Sequence, residues 1–335
     1  MSLLKIGMIG CGGFAKTIYS PIIKNAPQLF KVIATCDVVQ PAADNLKNIT
    51  GAEYATTDAE KVLDDKNIDA VFITTRHDTH ADLSVKAAEA GKHVVCEKPM
   101  ALNYADCLRI AEAVKKSGIK YTVGYNRGLA PLVRKAKEML STENSKRIIY
   151  HRLQNTTKPN HWLHDKTFGG GRIIGEGVHI LDLLCELINA EPITIYAAGG
   201  VFITDEKVEV PDTASVTLTF ADGSVGTTLI TSRGNDKMPK EVTEIYSNRK
   251  AVYINDFTEL NAYGFATETI TEKLAKGDKG WEYELHAFAD AVLNKKEPPN
   301  GVNKAIRGAL LSYRANESIA IGKPVAIHAE EYTIL

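Results

Sequence analysis

Residues 3–9 form a short apolar run, and the stretch Gly10-Cys11-Gly12-Gly13-Phe14-Ala15 follows it directly, with a helical pattern from about Phe14. In a dinucleotide-binding fingerprint the first glycine makes a tight turn and the second lets the backbone approach a pyrophosphate. A third small residue lets the helix pack closely on the strand. Gly10, Gly12 and Ala15 stand at those positions, where helix N-terminal amides would face the phosphates. The stretch therefore predicts the first strand and helix of a Rossmann fold.

The next β-rich run, residues 31–36, is followed by Asp37. An acid at this place accepts hydrogen bonds from the adenosine ribose hydroxyls and repels a 2′-phosphate. The three residues after it, 38–40, include no arginine that would attract such a phosphate. We therefore predict NAD as the cofactor, with NADP less favoured. The alternatives are a plain glycine turn at Gly10 and a helix-capping or exposed acid at Asp37.

The first third of the chain alternates short β-rich runs with longer helical patterns. Such alternation is typical of a parallel sheet with helices on both faces. The predicted strands are residues 3–9, 31–36, 70–74, 93–96 and 119–123, and the predicted helices start near residues 14 and 41 or span 81–90 and 104–116. Gly91 and Gly118 stand where helices should end. Because ligands of such sheets lie beyond the carboxyl ends of the strands, we expect Thr74, Thr75 and His77, and then Glu97 and Lys98, to lie near the cofactor.

After Gly124 the pattern changes to a helix–strand mixture and then a meander of strands. The predicted helices are 131–140, 176–188, 281–294 and 302–321, and the predicted strands are 147–154, 193–203, 214–220, 224–231, 241–247 and 251–254. Ala221, Asp222 and Gly223 mark a hairpin between two of these strands. We thus predict an α/β dinucleotide-binding domain over residues 1–124. An α+β domain with a large, mostly antiparallel open sheet should follow over 125–335, and the C-terminal helices could pack back on the first domain.

The composition favours a small-molecule partner. The chain has 335 residues, enough for two cores, and a net charge of −1 that would attract neither nucleic acid nor a membrane surface. Its five cysteines, at positions 11, 36, 96, 107 and 185, form no CxxC pair, which favours reduced thiols in a cytoplasmic protein. We see no signal-peptide pattern and no apolar stretch long enough for a membrane span.

Taken in order, these strings resemble the Gfo/Idh/MocA family of oxidoreductases, named after glucose-fructose oxidoreductase and inositol dehydrogenase. The resemblance rests on the glycine loop, Asp37, the Glu97-Lys98-Pro99 string, the segment 124–127 (GYNR) and a GxHxxD helix read at Gly177, His179 and Asp182. It implies hydride transfer between a nicotinamide and a secondary alcohol or ketone of a sugar, inositol or nucleotide sugar. It also implies that Lys98 and His179 face the substrate.

One departure concerns the acid/base group of the family. Many members carry an aspartate four residues before the histidine, whereas this chain has Gly175 there, with Glu176 beside it. Residues 169–177 read GGGRIIGEG, a string that recurs in one subgroup of the family. Glu176 lies three residues before His179 on the same helix face and could orient its ring. Its negative charge could also oppose the positive end of the helix dipole, which disfavours a protonated His179.

The expected site has three sets of residues. The catalytic set is Lys98, His179 and Glu176. The cofactor-binding set is Gly10, Gly12, Gly13, Phe14, Ala15, Asp37, Thr74, Thr75, His77, Glu97, Lys98 and Asn126. The substrate-binding set is Lys98, Arg127, His161, Trp162, Arg172 and His179, and no metal is expected.

For the mechanism we favour His179 as proton acceptor, one turn into a helix that starts near Glu176, with Lys98 stabilising developing charge on the substrate oxygen. Lys98 as the base, and a core role for His179, are alternatives. A metal site at His161, His164 and His179 is disfavoured because hydride transfer needs no metal. His80, His93 and Asp182 are expected to be structural. An NAD-binding sensor and an NAD-assisted glycosidase are the competing functions, and the open sheet predicts a homodimer or homotetramer.

Overall fold

The computed structural model describes residues 3–142, 145–204 and 208–335. It divides into two compact units: Met1–Gly124, Trp281–Ile306 and Ile334–Leu335 form the first, and Tyr125–Gly280 and Arg307–Thr333 form the second. Within the described ranges, no helix combines the length and the apolar character that crossing a membrane requires.

The first unit is built on a six-stranded sheet in the order β3-β2-β1-β4-β5-β6, and every pair is parallel. This is the strand order of a Rossmann fold, so the predicted fold class of this unit is confirmed. Its strands are β1 Leu4–Ile9, β2 Phe30–Cys36, β3 Tyr54–Thr56, β4 Ala70–Ile73, β5 His93–Cys96 and β6 Tyr121–Val123. Its helices are α1 Ser20–Asn25, α2 Gln40–Thr50, α3 Ala59–Asp64, α4 His80–Glu89 and α5 Tyr104–Ser117.

Strands that are buried on both faces explain why the sequence runs are almost continuously apolar. In β4, for example, all four residues are buried. Gly118 ends α5 in the left-handed conformation, with φ of 69°, and its amide bonds back to Val114. The helix α8, Trp281–Leu293, belongs to the same unit, where Phe288 packs edge-on against Phe72 of β4 at 6.0 Å between ring centroids.

The second unit holds a nine-stranded sheet in the order β14-β13-β12-β11-β7-β10-β9-β8-β15. Only the β7–β10 pair is parallel among its described strands, which confirms the predicted mostly antiparallel sheet. Its strands are β7 Ile148–Gln154, β8 Pro192–Gly200, β9 Thr213–Phe220, β10 Val225–Thr231, β11 Glu241–Ser247, β12 Lys250–Asn255, β13 Glu259–Tyr263, β14 Ile270–Lys273 and β15 Val325–Ala326. Its helices are α6 Pro131–Leu140 and α7 Val178–Ile188. A further helix, α9 Val302–Ile321, starts in the first unit and continues in the second from Arg307.

Helix α7 covers one face of this sheet. It is buried along almost its whole length, and Gly226 of β10 makes room for it: a Cβ there would lie 3.2 Å from the Leu184 side chain. The opposite face carries outward residues such as Ile148, Tyr150 and Tyr246, which are exposed. The sheet is therefore packed on one side and open on the other.

Three sequence predictions need correction. The helix expected from residue 176 starts at Arg172 and runs through a wide π-helical turn, Ile173–Gly177, before α7. The strand expected over 193–203 ends at Gly200. Five short elements, α3 and strands β3, β13, β14 and β15, were not predicted, because runs of two to six residues carry too little periodicity to identify.

Candidate active site

The glycine loop of the first unit has two kinds of glycine. Gly10 has φ of 95°, and a Cβ there would lie 2.6 Å from the Thr74 backbone carbon, so only glycine fits between β1 and the end of β4. A Cβ at Gly12 or Gly13 would meet no atom within 4 Å. These two residues present bare backbone to open space in front of the helix, which suits a pyrophosphate.

Asp37 lies against this loop. Its Oδ2 accepts a hydrogen bond from the Cys11 amide at 2.7 Å, and its Oδ1 accepts one from the Val39 amide at 2.9 Å. The carboxylate therefore ties the end of β2 to the glycine loop and also closes the turn before α2. Residue types and placement fit the adenosine end of a dinucleotide.

Phe14 and Ala15 contribute to the packing behind the loop. Ala15 is buried, and the Phe14 ring lies 5.1 Å from that of Tyr19 and 6.1 Å from that of Trp281, both edge-on. Thr74 donates from Oγ1 to the Gly10 carbonyl oxygen at 2.6 Å, which holds β4 against the same turn.

The Glu97-Lys98-Pro99 string follows β5. Glu97 is buried, and its Oε1 accepts a hydrogen bond from the Tyr19 hydroxyl at 2.7 Å, while Oε2 accepts from the Lys98 amide at 3.2 Å. Burial and the neighbouring Glu97 raise the pKa of Tyr19 well above its usual value, so the hydroxyl stays a donor. Glu97 thus anchors the backbone from which the Lys98 side chain extends.

Nearby polar residues hold the other strand ends in place. Thr79 donates to the hydroxyl oxygen of Thr75 at 2.6 Å, and His77 is buried. His80 and His93 bond to backbone groups: His80 Nδ1 to the Pro99 carbonyl at 2.8 Å, and His93 Nδ1 to the Lys120 amide at 2.9 Å. Both histidines therefore have the local structural contacts expected of them.

In the second unit, Arg127 and His179 are in direct contact. Arg127 Nη1 lies 3.0 Å from His179 Nε2, and both side chains are buried. A guanidinium group has only donors, so Nε2 must be the accepting nitrogen and carry the lone pair. The ring of Tyr125 lies edge-on to His179 at 6.4 Å. His179 is thus held with its basic nitrogen at a defined position.

Glu241, at the start of β11, holds Arg127 in turn. Its two carboxylate oxygens accept from Arg127 Nη2 at 3.2 Å and Nε at 3.4 Å, and Lys279 Nζ donates to Oε1 at 2.6 Å. Burial alone would raise the pKa of Glu241, but Arg127 and Lys279 outweigh it and hold this pKa well below its usual value. The buried carboxylate is therefore ionised and fixes the guanidinium beside His179.

Asn126 belongs to the same network. Its amide nitrogen donates to the Lys279 carbonyl oxygen at 2.8 Å, and its Oδ1 accepts from Arg127 at 2.9 Å. Both ends of the amide are thus engaged by residues of the second unit. A contact with the cofactor, as the sequence predicts, would have to share one of these groups.

The helical position of His179 differs from the prediction. The helix begins at Arg172, so His179 lies about two turns inside it rather than one. Helix dipole effects fall off within the first turn, so the dipole cannot be what keeps the ring neutral. The neutral ring follows instead from the hydrogen bond that Arg127 donates to the Nε2 lone pair. Glu176 lies in the π-helical turn, and its Oε2 is 3.5 Å from Nζ of Lys240.

The predicted substrate residues before this helix occupy different environments. His161 is exposed and accepts the Leu163 amide through Nδ1 at 3.2 Å, while Trp162 is half-buried with its ring 5.6 Å from that of His161. Arg172 is buried and donates to Asn155 Oδ1. Across the described ranges, no three His, Cys, Asp or Glu side chains come together as metal ligands would.

No sequence motif pointed to five further polar residues of this region: Glu241, Lys240, Lys279, His151 and Asn155. One signal was available: the alternation of β11 places Glu241 on the same inward face as Thr243 and Ile245. A charged residue at an inward position of a strand is rarely left without a role.

Comparison with known proteins agrees with this geometry. Residues 4–125 match the model of the oxidoreductase family with an NAD-binding Rossmann fold, and residues 144–251 match the Gfo/Idh/MocA C-terminal domain. A myo-inositol 2-dehydrogenase of Thermotoga maritima is 27% identical over 94% of this chain and 96% of its own length. The NAD⁺-dependent scyllo-inositol 2-dehydrogenase of Bacillus subtilis is 26% identical over 89% of each chain. A levoglucosan dehydrogenase solved with NADH shares the fold, with a TM-score of 0.89 and 22% identity over 98% of this chain and 100% of that one.

The fold and the family models define an NAD-binding oxidoreductase. The chain belongs to the Gfo/Idh/MocA family, as the sequence strings predicted. These relatives give no support to the sensor or the glycosidase as alternatives.

Proposed function

We propose that this oxidoreductase acts on a secondary hydroxyl group of a polyol or sugar, with the substrate held by residues of the second unit. The observation that supports this most is the contact between Arg127 and His179 Nε2, because it fixes the position of the one ring nitrogen that carries the lone pair. The inositol and levoglucosan dehydrogenases among its relatives support the substrate class. Residues 1–124 would bind the cofactor and 125–335 the substrate.

In this proposal the chain's own residues do three things. The bare backbone at Gly12 and Gly13 binds the phosphates, and Asp37 selects the ribose. Lys98, extended from the backbone anchored by Glu97, donates to the substrate oxygen and stabilises its developing negative charge. His179 accepts the hydroxyl proton at Nε2. NAD, when bound, supplies the hydride acceptor.

Arg127 has to adjust for His179 to take up a proton. As long as its Nη1 donates to Nε2, that lone pair is shared, and the substrate hydroxyl must compete for it. We infer that a bound hydroxyl takes over the contact while Glu241 keeps the guanidinium close. Glu176 and Lys240 form a second charged pair that we assign to orienting this end of the helix.

The test is NADH formation, followed at 340 nm, with myo-inositol, scyllo-inositol, levoglucosan and common aldoses. His179→Asn and Lys98→Met should each lower kcat by about a hundredfold or more, the usual scale for a lost acid–base or oxyanion-stabilising group. The dissociation constant of NAD should stay within a few-fold for His179→Asn. Tight NAD binding without turnover of any polyol or sugar would overturn the proposal.

We further propose a cytoplasmic homodimer or homotetramer that forms through the open sheet face. That face carries Ile148, Tyr150, Tyr196, Tyr246 and Tyr263, all exposed. The five cysteines are buried and form no disulfide in the part of the chain that the structure describes, and burial raises the pKa of Cys185 to about 12, which suits a reducing compartment. Light scattering should find a dimer or tetramer, and Tyr150→Glu with Ile148→Glu should dissociate it. A wild-type monomer at micromolar concentration would contradict this.

A further inference from the structure

Arg172 is a buried cation without a matching anion. Its exposed fraction is 2%, its one hydrogen bond goes to the neutral amide oxygen of Asn155, and its Nε has no partner. No carboxylate forms an ion pair with it in the part of the chain that the structure describes. Buried charges in folded proteins are normally paired, because an unpaired one loses its hydration without compensation.

The acids that face Arg172 are each engaged by other groups. Glu176 lies against Lys240, with 3.5 Å between the charged atoms. Glu241 is bound by Arg127 and a second cation, Lys279. Both carboxylates thus lie in ion pairs with other cations, and neither is within ion-pair distance of Arg172.

The third acid, Asp212, accepts hydrogen bonds from its own loop. Its Oδ1 accepts from the Phe202 amide at 2.6 Å and its Oδ2 from the Thr213 hydroxyl at 3.2 Å. It faces both Arg172 and His164 without forming an ion pair with the former. Asp212 therefore holds the loop together, and its charge acts on Arg172 only from beyond ion-pair distance.

His164 lies beside Arg172 and is also without hydrogen-bond partners. It is 5% exposed, and neither ring nitrogen has a partner among the described residues. Burial lowers the pKa of His164, and the positive charge of Arg172 lowers it further, so the ring is neutral and offers one N–H donor. Two unsatisfied donors, one of them charged, thus lie in the same neighbourhood.

The glycine run brings these two side chains together. A Cβ at Gly169 would lie 2.5 Å from the Trp162 carbonyl oxygen, and the Gly171 amide donates to the Leu163 carbonyl oxygen at 2.9 Å. Gly171 has φ of 90°, which other residues rarely adopt. The run therefore folds back on the 162–164 turn and places the start of the helix, with Arg172, next to it.

We propose that Arg172 and His164 form a binding site for a carboxylate group of the substrate, so that the enzyme acts on a sugar acid rather than on a neutral polyol. A guanidinium binds a carboxylate through two parallel hydrogen bonds in one plane, and Nε of Arg172, which has no partner, is a donor for one of them. The single charge of a carboxylate matches that of the guanidinium. This inference rests on the proposed function, because it names the substrate class of the same site.

The test compares matched substrates that differ only in one group: D-glucose with D-glucuronate, D-galactose with D-galacturonate, and D-glucose with glucose 6-phosphate. We expect a uronate to be used with kcat/KM at least tenfold above that of its neutral parent. Arg172→Gln should remove this preference, because it raises KM for the acid at least tenfold more than KM for the neutral sugar. Arg172→Lys keeps the positive charge but loses the planar guanidinium. Its preference for the acid should therefore lie between that of the wild-type protein and that of Arg172→Gln.

Arg249→Gln is the control, since it also removes one positive charge but from an exposed turn between β11 and β12, at the opposite end of β11 from Glu241. Circular dichroism checks that each variant is folded. The proposal is overturned if neutral sugars are used as well as acids in every pair, if glucose 6-phosphate is preferred to the uronates, or if Arg172→Gln acts no differently from Arg249→Gln.

Binding separates this proposal from the proposed function. If no sugar is oxidised, titration calorimetry of the NADH complex with D-glucuronate and D-galacturonate still tests whether the carboxylate site exists. Uronate binding that Arg172→Gln weakens at least tenfold would support the carboxylate site even though the proposed reaction had failed. Absence of uronate binding by the wild-type protein would overturn the site.

Discussion

Replacing Glu241 with glutamine should destabilise the second unit and also impair proton transfer. The change keeps the size of the side chain, so it leaves no cavity, and it removes the one negative charge that Arg127 and Lys279 share. Removing one partner of a buried ion pair costs about 3–5 kcal/mol, because the remaining charge is left uncompensated. Both cations lose this carboxylate, and Lys279 keeps only Asp256, at 3.8 Å, so we expect the free energy of unfolding to fall by about 4 kcal/mol.

The assay is urea denaturation at pH 7, with the pH dependence of kcat/KM measured beside it. Arg127 loses its anchor in Glu241→Gln, so the lone pair of His179 Nε2 is no longer held in place, and the pH profile should shift as well as the rate fall. Glu244→Gln is the matched control, being the same substitution on the same strand at a half-exposed position. It should cost less than about 1 kcal/mol. A similar loss in both variants, or an unchanged pH profile in Glu241→Gln, would refute the role assigned to Glu241.

Three further outcomes are expected. Burial lowers the pKa of His151 from 6.5 to about 4, so its folded form stays neutral while the unfolded chain takes up a proton; stability present above pH 6.5 should fall as the pH drops towards 4. The free energy of unfolding should fall by about 3 kcal/mol over this range in the wild-type protein. Urea denaturation at several pH values should show a smaller fall in His151→Asn. Gly10→Ala should cost about 3 kcal/mol or more in thermal unfolding, because positive φ and the close Thr74 backbone both exclude a Cβ, whereas Gly118→Ala, with open space, should cost about 1 kcal/mol. Asp37→Ser should raise KM for NAD and lower the ratio of kcat/KM for NAD to kcat/KM for NADP at least tenfold. Initial rates with both cofactors would measure this ratio.

The strands of the first unit could be predicted because each is a short apolar run between turn residues. The predicted run 93–96 and the observed β5 have the same bounds. Edge strands such as β3 are three residues long and half exposed, so neither alternation nor an apolar run distinguishes them from a loop. The start of the helix at Arg172 was hidden because Gly175 and Gly177 disfavour a helix, while the wide turn at 173–177 accommodates them.

The buried ion pair between Arg127 and Glu241 could not be predicted from the spacing of residues in the sequence. Arg127 and Glu241 are 114 residues apart, and only the pairing of β7 with β11 brings Glu241 to its position. A residue pair so distant in the chain is joined by tertiary folding, for which neither helical nor strand periodicity is a guide.

Strand alternation nevertheless contained a usable signal. In β7 the inward residues are Ile149, His151 and Leu153, and in β11 Glu241 shares its face with Thr243. Burying a histidine and a glutamate in otherwise apolar inward rows costs free energy unless each finds a partner. Two such residues on strands that belong to one predicted sheet therefore indicate a buried polar network from the amino-acid sequence alone. In this chain that network is the support on which Arg127, and through it His179, is held.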